Sequence, residues 1–527
     1  MAYKERLIAS ILGYGSLNLT VAILILFVSY LVGNAVYQLY FSPLSRFPGP
    51  KIAAVTLWYE IYYDVFKCGR YWVEVQKMHE RHGPIVRISP SELHISDPSF
   101  IDTLYTRSAP RDKHHFMTGQ FGNDLNTFNT DDHYHHRIRR RALNPFFSKQ
   151  RVVALQNLLW SHVEKMCKRF EEYKASKTPL SASDAFGCLT ADIIIEYSMG
   201  LQQRALDDPE FAPLFTQAVK KFASMGVYAK HMPWIHTLTH ALPQGWIAKA
   251  SPEYGAMLAF RHMNSDRVRD VFERKMKANE GTRAVDSEGT SQLTVFDELL
   301  DSDLPPAEKD LERLSQESQL IVGAALDTTA NALNATLFHL LDNPSTATKL
   351  QSELARAIPE PHAQTSLLTL EKLPYLTAVI NEGLRLSHGL SCRNARLAHS
   401  PLVYKNYVIP AFTPVSMSAP FTHHDETIFP DSHAFIPERW LDSTGALGGK
   451  TPDGRPLERF LMAFGRGARQ CAGINLARAE MYICIAALVR RFEMHLFQST
   501  RRDVEFVHDL FLPGVESGSK GVTILVV

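Results

Sequence analysis

Phe464-Gly-Arg-Gly467-Ala-Arg469-Gln-Cys471-Ala-Gly473 is the stretch on which the reading of this chain turns. A cysteine that is to hold a metal as a thiolate needs a fixed loop, amide donors near its sulfur and a positive local field. The glycines permit a tight turn that brings backbone N–H groups towards the sulfur, and Arg469 adds charge. Immediately downstream, Asn475 to Phe492 is a strongly apolar run with the length of a helix. Cys471 therefore lies just ahead of a helix N-terminus, where the dipole favours an anion. Taken without context, the same residues also describe a structural cysteine buried in a glycine-rich turn.

Phe464, Gly467, Arg469, Cys471 and Gly473 form the pattern F-x-x-G-x-R-x-C-x-G. In a chain of 527 residues, five fixed positions recur by chance roughly twice in ten thousand trials. The sequence here resembles the cytochrome P-450 superfamily. The resemblance implies a mainly α fold with small β-sheets (α+β) and a single large haem domain. It also implies haem b as cofactor, with Cys471 as the axial ligand of its iron and Phe464 beside it.

Three further motifs bear on that resemblance. Glu382-Gly-Leu-Arg385 lies in an amphipathic helix after Leu373, and residues three apart share a helix face and can pair. Downstream, Pro437-Glu-Arg439-Trp440 supplies a second arginine. By resemblance, Glu382, Arg385 and Arg439 match a buried structural triad on the haem side of the core. The third motif sits in a helix running from about Ala307 to Leu341, whose centre reads Gly323-Ala324-Ala325-Leu326-Asp327-Thr328. Ala324 and Thr328 are one turn apart, and a threonine hydroxyl can bond back to the carbonyl four residues earlier. On its own this is a close helix crossing. By resemblance, Thr328 is the distal threonine and Asp327 its acidic neighbour, the pair associated with proton delivery to bound oxygen, with alanine at position 325 where glycine is common.

Haem carries two propionates that need cationic partners. His136 and Arg140 align, through Pro145, with the family's Trp-x-x-x-Arg propionate motif, histidine replacing tryptophan. Arg396 and Arg469 are further propionate partners by the same resemblance. His133, His135 and His136 do not share one helical face, which argues against a separate metal site. Arg137, Arg139 and Arg141 are then expected to point elsewhere, onto a solvated face or onto a basic surface for an acidic flavoprotein reductase.

Composition excludes several other classes. Fifty-six lysines and arginines against 55 aspartates and glutamates leave a net charge of +1, against a protein holding nucleic acid on a broad basic surface. Six cysteines without a Cys-x-x-Cys pair make neither a disulfide scaffold nor a zinc ribbon. Between Arg6 and Arg46 there is no charged residue and no histidine, and Leu17 to Tyr40 is long enough to cross a bilayer as a helix. Lys4 and Arg6 balance Arg46 and Lys51, so charge does not orient it. Pro43, Pro48 and Pro50 then form a stiff elbow, because proline cannot continue a helix. We thus expect an anchor over 1–41, a proline-rich hinge over 42–51 and the haem-thiolate domain over 52–527. Beyond the elbow the chain reads as helix-dominated, with a helix at Val73–Gly83, a hairpin at Ile85–Asp97, a long helix at Val152–Tyr173 and polar loops at Asn279–Ser291 and Thr444–Arg455.

The resemblance implies a monooxygenase that inserts one oxygen atom from dioxygen into a lipophilic substrate by hydroxylation, epoxidation or repeated oxidation. The terpenoid or polyketide intermediates of secondary-metabolite biosynthesis are the substrates it suggests. No dinucleotide-binding glycine motif is present, so NADPH is expected to act through a separate cytochrome P-450 reductase, with cytochrome b5 as a possible second donor. The endoplasmic reticulum membrane, crossed once with the catalytic domain facing the cytosol, is the expected location. Phe116, Ala324, Leu390 and Phe511 are the candidate substrate contacts, and the aromatic-rich Phe211–Trp246 a membrane-dipped lid. Two other classes stay open: a P-450-like isomerase or dehydratase needing no external electrons, and a non-catalytic haem-binding protein.

Overall fold

The computed structural model describes residues 2–279 and 294–527. The expected polar loop at Asn279–Ser291 lies outside the described residues beyond Asn279 itself. Among the longer helices are α1 (Ala2–Val36), α2 (Tyr71–His82), α3 (His133–Leu143), α4 (Gln156–Ser176), α5 (Ala182–Met199) and α6 (Leu214–Ala229). They continue with α7 (Pro252–Asn279), α8 (Leu311–Asp342), α9 (Pro374–Ser387) and α10 (Ile474–Arg491).

The expected helices are present, with boundaries that capping explains. Gly83 closes α2 at φ 92°, which favours glycine. The long helix near Val152 is two: a short one at Lys149–Ala154, then α4, joined at Leu155, whose ψ of 0° leaves the helical range. α8 starts at Leu311 and not near Ala307. Pro305 and Pro306 confine the preceding turn to a 3-10 helix, and the Asp310 side chain accepts from the N–H groups of Glu312 and Arg313.

Sheets are small and peripheral. Strands β1 (Ile85–Arg87), β2 (Leu93–Ile95), β3 (Arg111–Lys113), β4 (Arg396–Ala398) and β5 (Pro414–Ser416) form one sheet in the order β1-β2-β5-β4-β3. Of its pairs only β2 with β5 is parallel. β1 and β2 are the expected hairpin. A three-stranded sheet, two further hairpins and two isolated bridges make up the rest of the β-structure among the described residues.

α8 runs through the middle. Thr190 of α5 donates to the Leu326 carbonyl (2.7 Å), and Ser318 donates to Asn264 of α7 (2.7 Å). Gly383 of α9 lies so close to α8 that a Cβ there would stand 1.9 Å from Thr336 Oγ1. Next to that contact, Glu382 is fully buried and satisfied from several directions. Arg385 donates to both its oxygens (2.9 and 2.8 Å), Arg439 Nε donates at 3.1 Å, and the Ile436 amide and Trp440 Nε1 complete the set at 2.9 and 3.0 Å. Burial alone would raise this carboxyl's pKa, but Arg385 and Arg439 hold it below the ordinary carboxylate value. The triad expected from sequence is thus assembled, with Trp440 as an added donor.

At the other end, the apolar stretch Leu19–Phe41 is long enough to cross a membrane and is not buried by the rest of the protein. The elbow is seated on the domain: Ser42, Leu44 and Phe47 are buried. Arg87 of β1, 2% exposed, donates to the Gln38 carbonyl at 2.8 Å and to Gln38 Oε1 at 2.5 Å.

Replacing Glu382 by alanine leaves Arg385 buried without its counter-charge. The expected cost is about 3–5 kcal/mol of stability, read by denaturant unfolding. Unfolding free energy within about 1 kcal/mol of wild type would contradict this account of the triad.

Candidate active site

Cys471 is the one cysteine with an exposed side chain, and it faces an internal cavity of about 390 Å³. The loop that presents it is built as the glycines suggested. Gly465 and Gly467 adopt φ values of 62° and 73°, and the Cys471 amide donates to the Phe464 carbonyl at 2.9 Å. Gly467 also passes so near the chain at Tyr105 that a Cβ would lie 2.2 Å from the Tyr105 carbonyl oxygen. Gly465 and Gly473 line the cavity, and a Cβ at either would meet nothing within 4 Å. They keep the floor beside the sulfur open. Burial raises the thiol pKa, while the Gly473 amide and then Arg140 lower it. The cation that acts on the sulfur is therefore Arg140 and not, as expected, Arg469.

His136, Arg140, Arg396 and Arg469 all reach the same cavity, together with Lys113, which sequence reasoning missed. Lys113 and Arg396 are register partners on β3 and β4. Directly opposed like charges are destabilising. Lys113 is buried, and burial followed by Arg396 and Arg469 lowers its pKa far below the usual lysine value. The same causes act on its neighbours: His136 is lowered to about 2 by burial and then Arg469, and Arg469 to about 9 by burial and then Arg396. Arg469 is oriented by the carbonyls of Thr130 and Asp131, both at 2.6 Å, and its Nε has no partner. Such a wall is complementary to a dianion. Nothing local in the sequence marks Lys113, since only the β3–β4 pairing brings it beside Arg396.

From α8, Thr328 and Ala324 line the cavity as well, and the Thr328 hydroxyl donates to the Ala324 carbonyl at 2.9 Å. Asp327 faces away from the cavity and is buried; burial raises its pKa to about 6, opposed by Lys220. Phe464, Leu390 and Phe511 also line the cavity. Phe511 sits at φ 77° at the tip of a hairpin, its ring edge-on to Phe121 at 4.9 Å. Phe116 does not reach the wall: its ring packs edge-on against His231 at 5.4 Å, behind the cavity.

The other basic residues of α3 divide. Arg137 and Arg141 are exposed as expected, but Arg139 is buried and bonded to Glu308 at 2.6 Å. It belongs to the joint between α3 and the start of α8, where Arg313 also meets Glu308, and it is no part of a surface. His135 pairs with Glu308, His133 accepts from the Arg111 amide and His136 lines the cavity, so the three histidines do not converge on one site.

A planar group with two carboxylates fits these residues: sulfur on the floor, open space above two glycines, and five basic side chains along one edge. The cytochrome P450 family model matches residues 56–513. A cytochrome P450 monooxygenase of Ascocoryne sarcoides is 41% identical over 94% of this chain and 96% of its own length. A tryptophan 6-hydroxylase of Fusarium equiseti is 39% identical, with 96% of both chains covered. An N-acetyltryptophan 6-hydroxylase of Emericella nidulans is 35% identical over 95% of this chain and 96% of its own. The chain belongs to the cytochrome P450 family. It is a haem-thiolate monooxygenase of secondary-metabolite biosynthesis, an oxidoreductase with haem b as its cofactor.

If Lys113 helps to hold the haem carboxylates, Lys113→Met should weaken haem retention about tenfold while Lys113→Arg restores most of it. Haem transfer to excess apomyoglobin measures this. Equal transfer rates in wild type and Lys113→Met would remove Lys113 from the site.

Proposed function

We propose that this enzyme inserts one oxygen atom from dioxygen into a lipophilic intermediate, a terpenoid, polyketide or aromatic compound. The observation that carries the reading is that Cys471 and Thr328 open onto one largely apolar cavity with a basic rim. Cys471 would hold the haem iron beside Phe464, and His136, Arg140, Arg396, Arg469 and Lys113 its propionates. Bound haem with a thiolate ligand supplies the dioxygen chemistry. The protein's own part is to hold the substrate, exclude water and deliver protons. Thr328 offers a hydroxyl on the cavity wall, and Asp327 behind it offers a carboxyl that changes protonation near neutral pH. Lys220, half-exposed and paired with Asp184, is the charge on its outer side. Ala324, Leu390 and Phe511 are the proposed substrate contacts.

Electrons would come from NADPH through a membrane-bound cytochrome P450 reductase, with cytochrome b5 as a second donor, docking near exposed Arg137 and Arg141. In this reading residues 1–41 anchor the protein in the endoplasmic reticulum membrane, 42–51 connect, and 52–527 form the catalytic unit facing the cytosol. The exposed side chains of Trp58, Tyr62, Phe66, Trp234, Leu238 and Trp246 support a surface dipped into the bilayer. Buried ion pairs join the segments that carry them: Asp64 meets Lys230 at 2.6 Å and His231 at 3.0 Å.

The carbon monoxide difference spectrum of reduced protein tests the core of the proposal. A strongly red-shifted Soret band in wild type, absent in Cys471→Ala, is expected; well-folded wild type lacking it refutes the reading. NADPH consumption with added reductase then separates a monooxygenase from an isomerase.

Protonated Asp327 predominates below about pH 6 and its carboxylate above. The proton-dependent step of turnover should therefore quicken as pH falls through that value. In Asp327→Asn the step should be slower by about 10²-fold and flat with pH, as read by stopped-flow spectroscopy. An unchanged profile would exclude Asp327 from proton delivery.

A further inference from the structure

Two cations on the cavity wall are not assigned to the haem site, and of these Arg466 is held by the Glu458 and Arg459 carbonyls while Arg261 is not so held. Arg261 projects from α7 onto the cavity and is half-buried. Among the described residues its guanidinium has no hydrogen bond and no ion pair; it lies over the face of Phe222, 5.5 Å from the ring centroid. The charges that act on it, Tyr254 and Glu312, are not members of the basic rim around Cys471. Arg261 is therefore a separate positive centre: burial opposes its charge, Tyr254 and Glu312 offset that only in part, and among the described residues no carboxylate is in ion-pair contact with it.

Gln319 of α8 lines the cavity as well. Its Oε1 accepts from Asn123 Nδ2 at 3.4 Å, and among the described residues its amide N–H groups have no acceptor. The Ser318–Asn264 bond pins α8 to α7 one residue from Gln319 and one turn from Arg261. Ala324 follows Gln319 by five positions, about 7.5 Å along the helix axis. A ligand gripped near Gln319 would thus extend along α8 towards Thr328.

We propose that Arg261 and Gln319 form a receptor for a carboxylate on the substrate, so that this enzyme takes lipophilic acids, held by the anionic end with the apolar body directed towards Thr328. A guanidinium offers a planar fork that matches a carboxylate with two parallel bonds, and the free amide of Gln319 adds a third donor. A single charge suits a monoanion better than a phosphate, and the rest of the wall is mostly apolar. The inference rests on the reading of this cavity as the substrate site of a haem-thiolate enzyme.

Ferric holoenzyme titrated with indole-3-propionic acid, dodecanoic acid and their methyl esters tests it, with the Soret shift as readout. At least one acid should bind about tenfold or more tightly than its ester in wild type. That ratio should fall to near one in Arg261→Met and recover partly in Arg261→Lys. Equal affinity for acid and ester in wild type, no response to either acid, or a preference that survives Arg261→Met overturns the proposal. The carbon monoxide band separates the two levels of the argument. With the band present, a missing acid preference refutes the carboxylate receptor alone; a wild type without the band refutes both.

Discussion

A carboxylate with no exposed surface has to be satisfied completely or not be there, and Glu382 imposes that requirement on everything near it. Its partners come from two separate parts of the chain, α9 and the Ile436–Trp440 segment. The consequence reaches the cysteine. Arg385 also donates to the His423 carbonyl at 2.8 Å, and the neutral His423 ring accepts from the Met462 amide at 2.8 Å. Met462 in turn accepts from Gly465 at the head of the cysteine loop. The position of the Cys471 sulfur is thereby tied, bond by bond, to a charge pair on another helix.

The cavity shows the opposite electrostatic condition. Around Glu382 charge is balanced within the protein; along the rim formed by Lys113, His136, Arg140, Arg396 and Arg469 it is not. Each of these groups is pushed towards its neutral form by burial, and several by one another. A site of this kind is completed by what binds to it, so cofactor affinity and folding stability are linked quantities.

What the sequence disclosed was local. The cysteine loop, the Glu382–Arg385 spacing and the Ala324–Thr328 turn are each written within a few residues, and the structure places them as the spacing implied. Arg139 was misread because a basic run on a polar helix gives no sign that Glu308, far along the chain, reaches over to bury one member. Lys113 escaped notice because only strand pairing makes it a neighbour of Arg396. Phe116, expected among the substrate contacts, lies on the short turn His115–Thr118, which sets its ring against His231 instead. Arg261 and Gln319 lie on ordinary-looking helical stretches; the space they share exists only once α7 and α8 are packed.

The joint at Arg87 changes how the N-terminal helix should be pictured. Its guanidinium is inside the protein, yet two of its acceptors belong to Gln38, within the apolar span. Asn34 adds a further bond to the Val55 carbonyl. A segment held this way is a mast stepped into the hull and not a mooring line. In the proposed membrane setting these bonds would couple the tilt of the catalytic body, and the depth of Trp58 and Trp246, to the direction of the apolar helix.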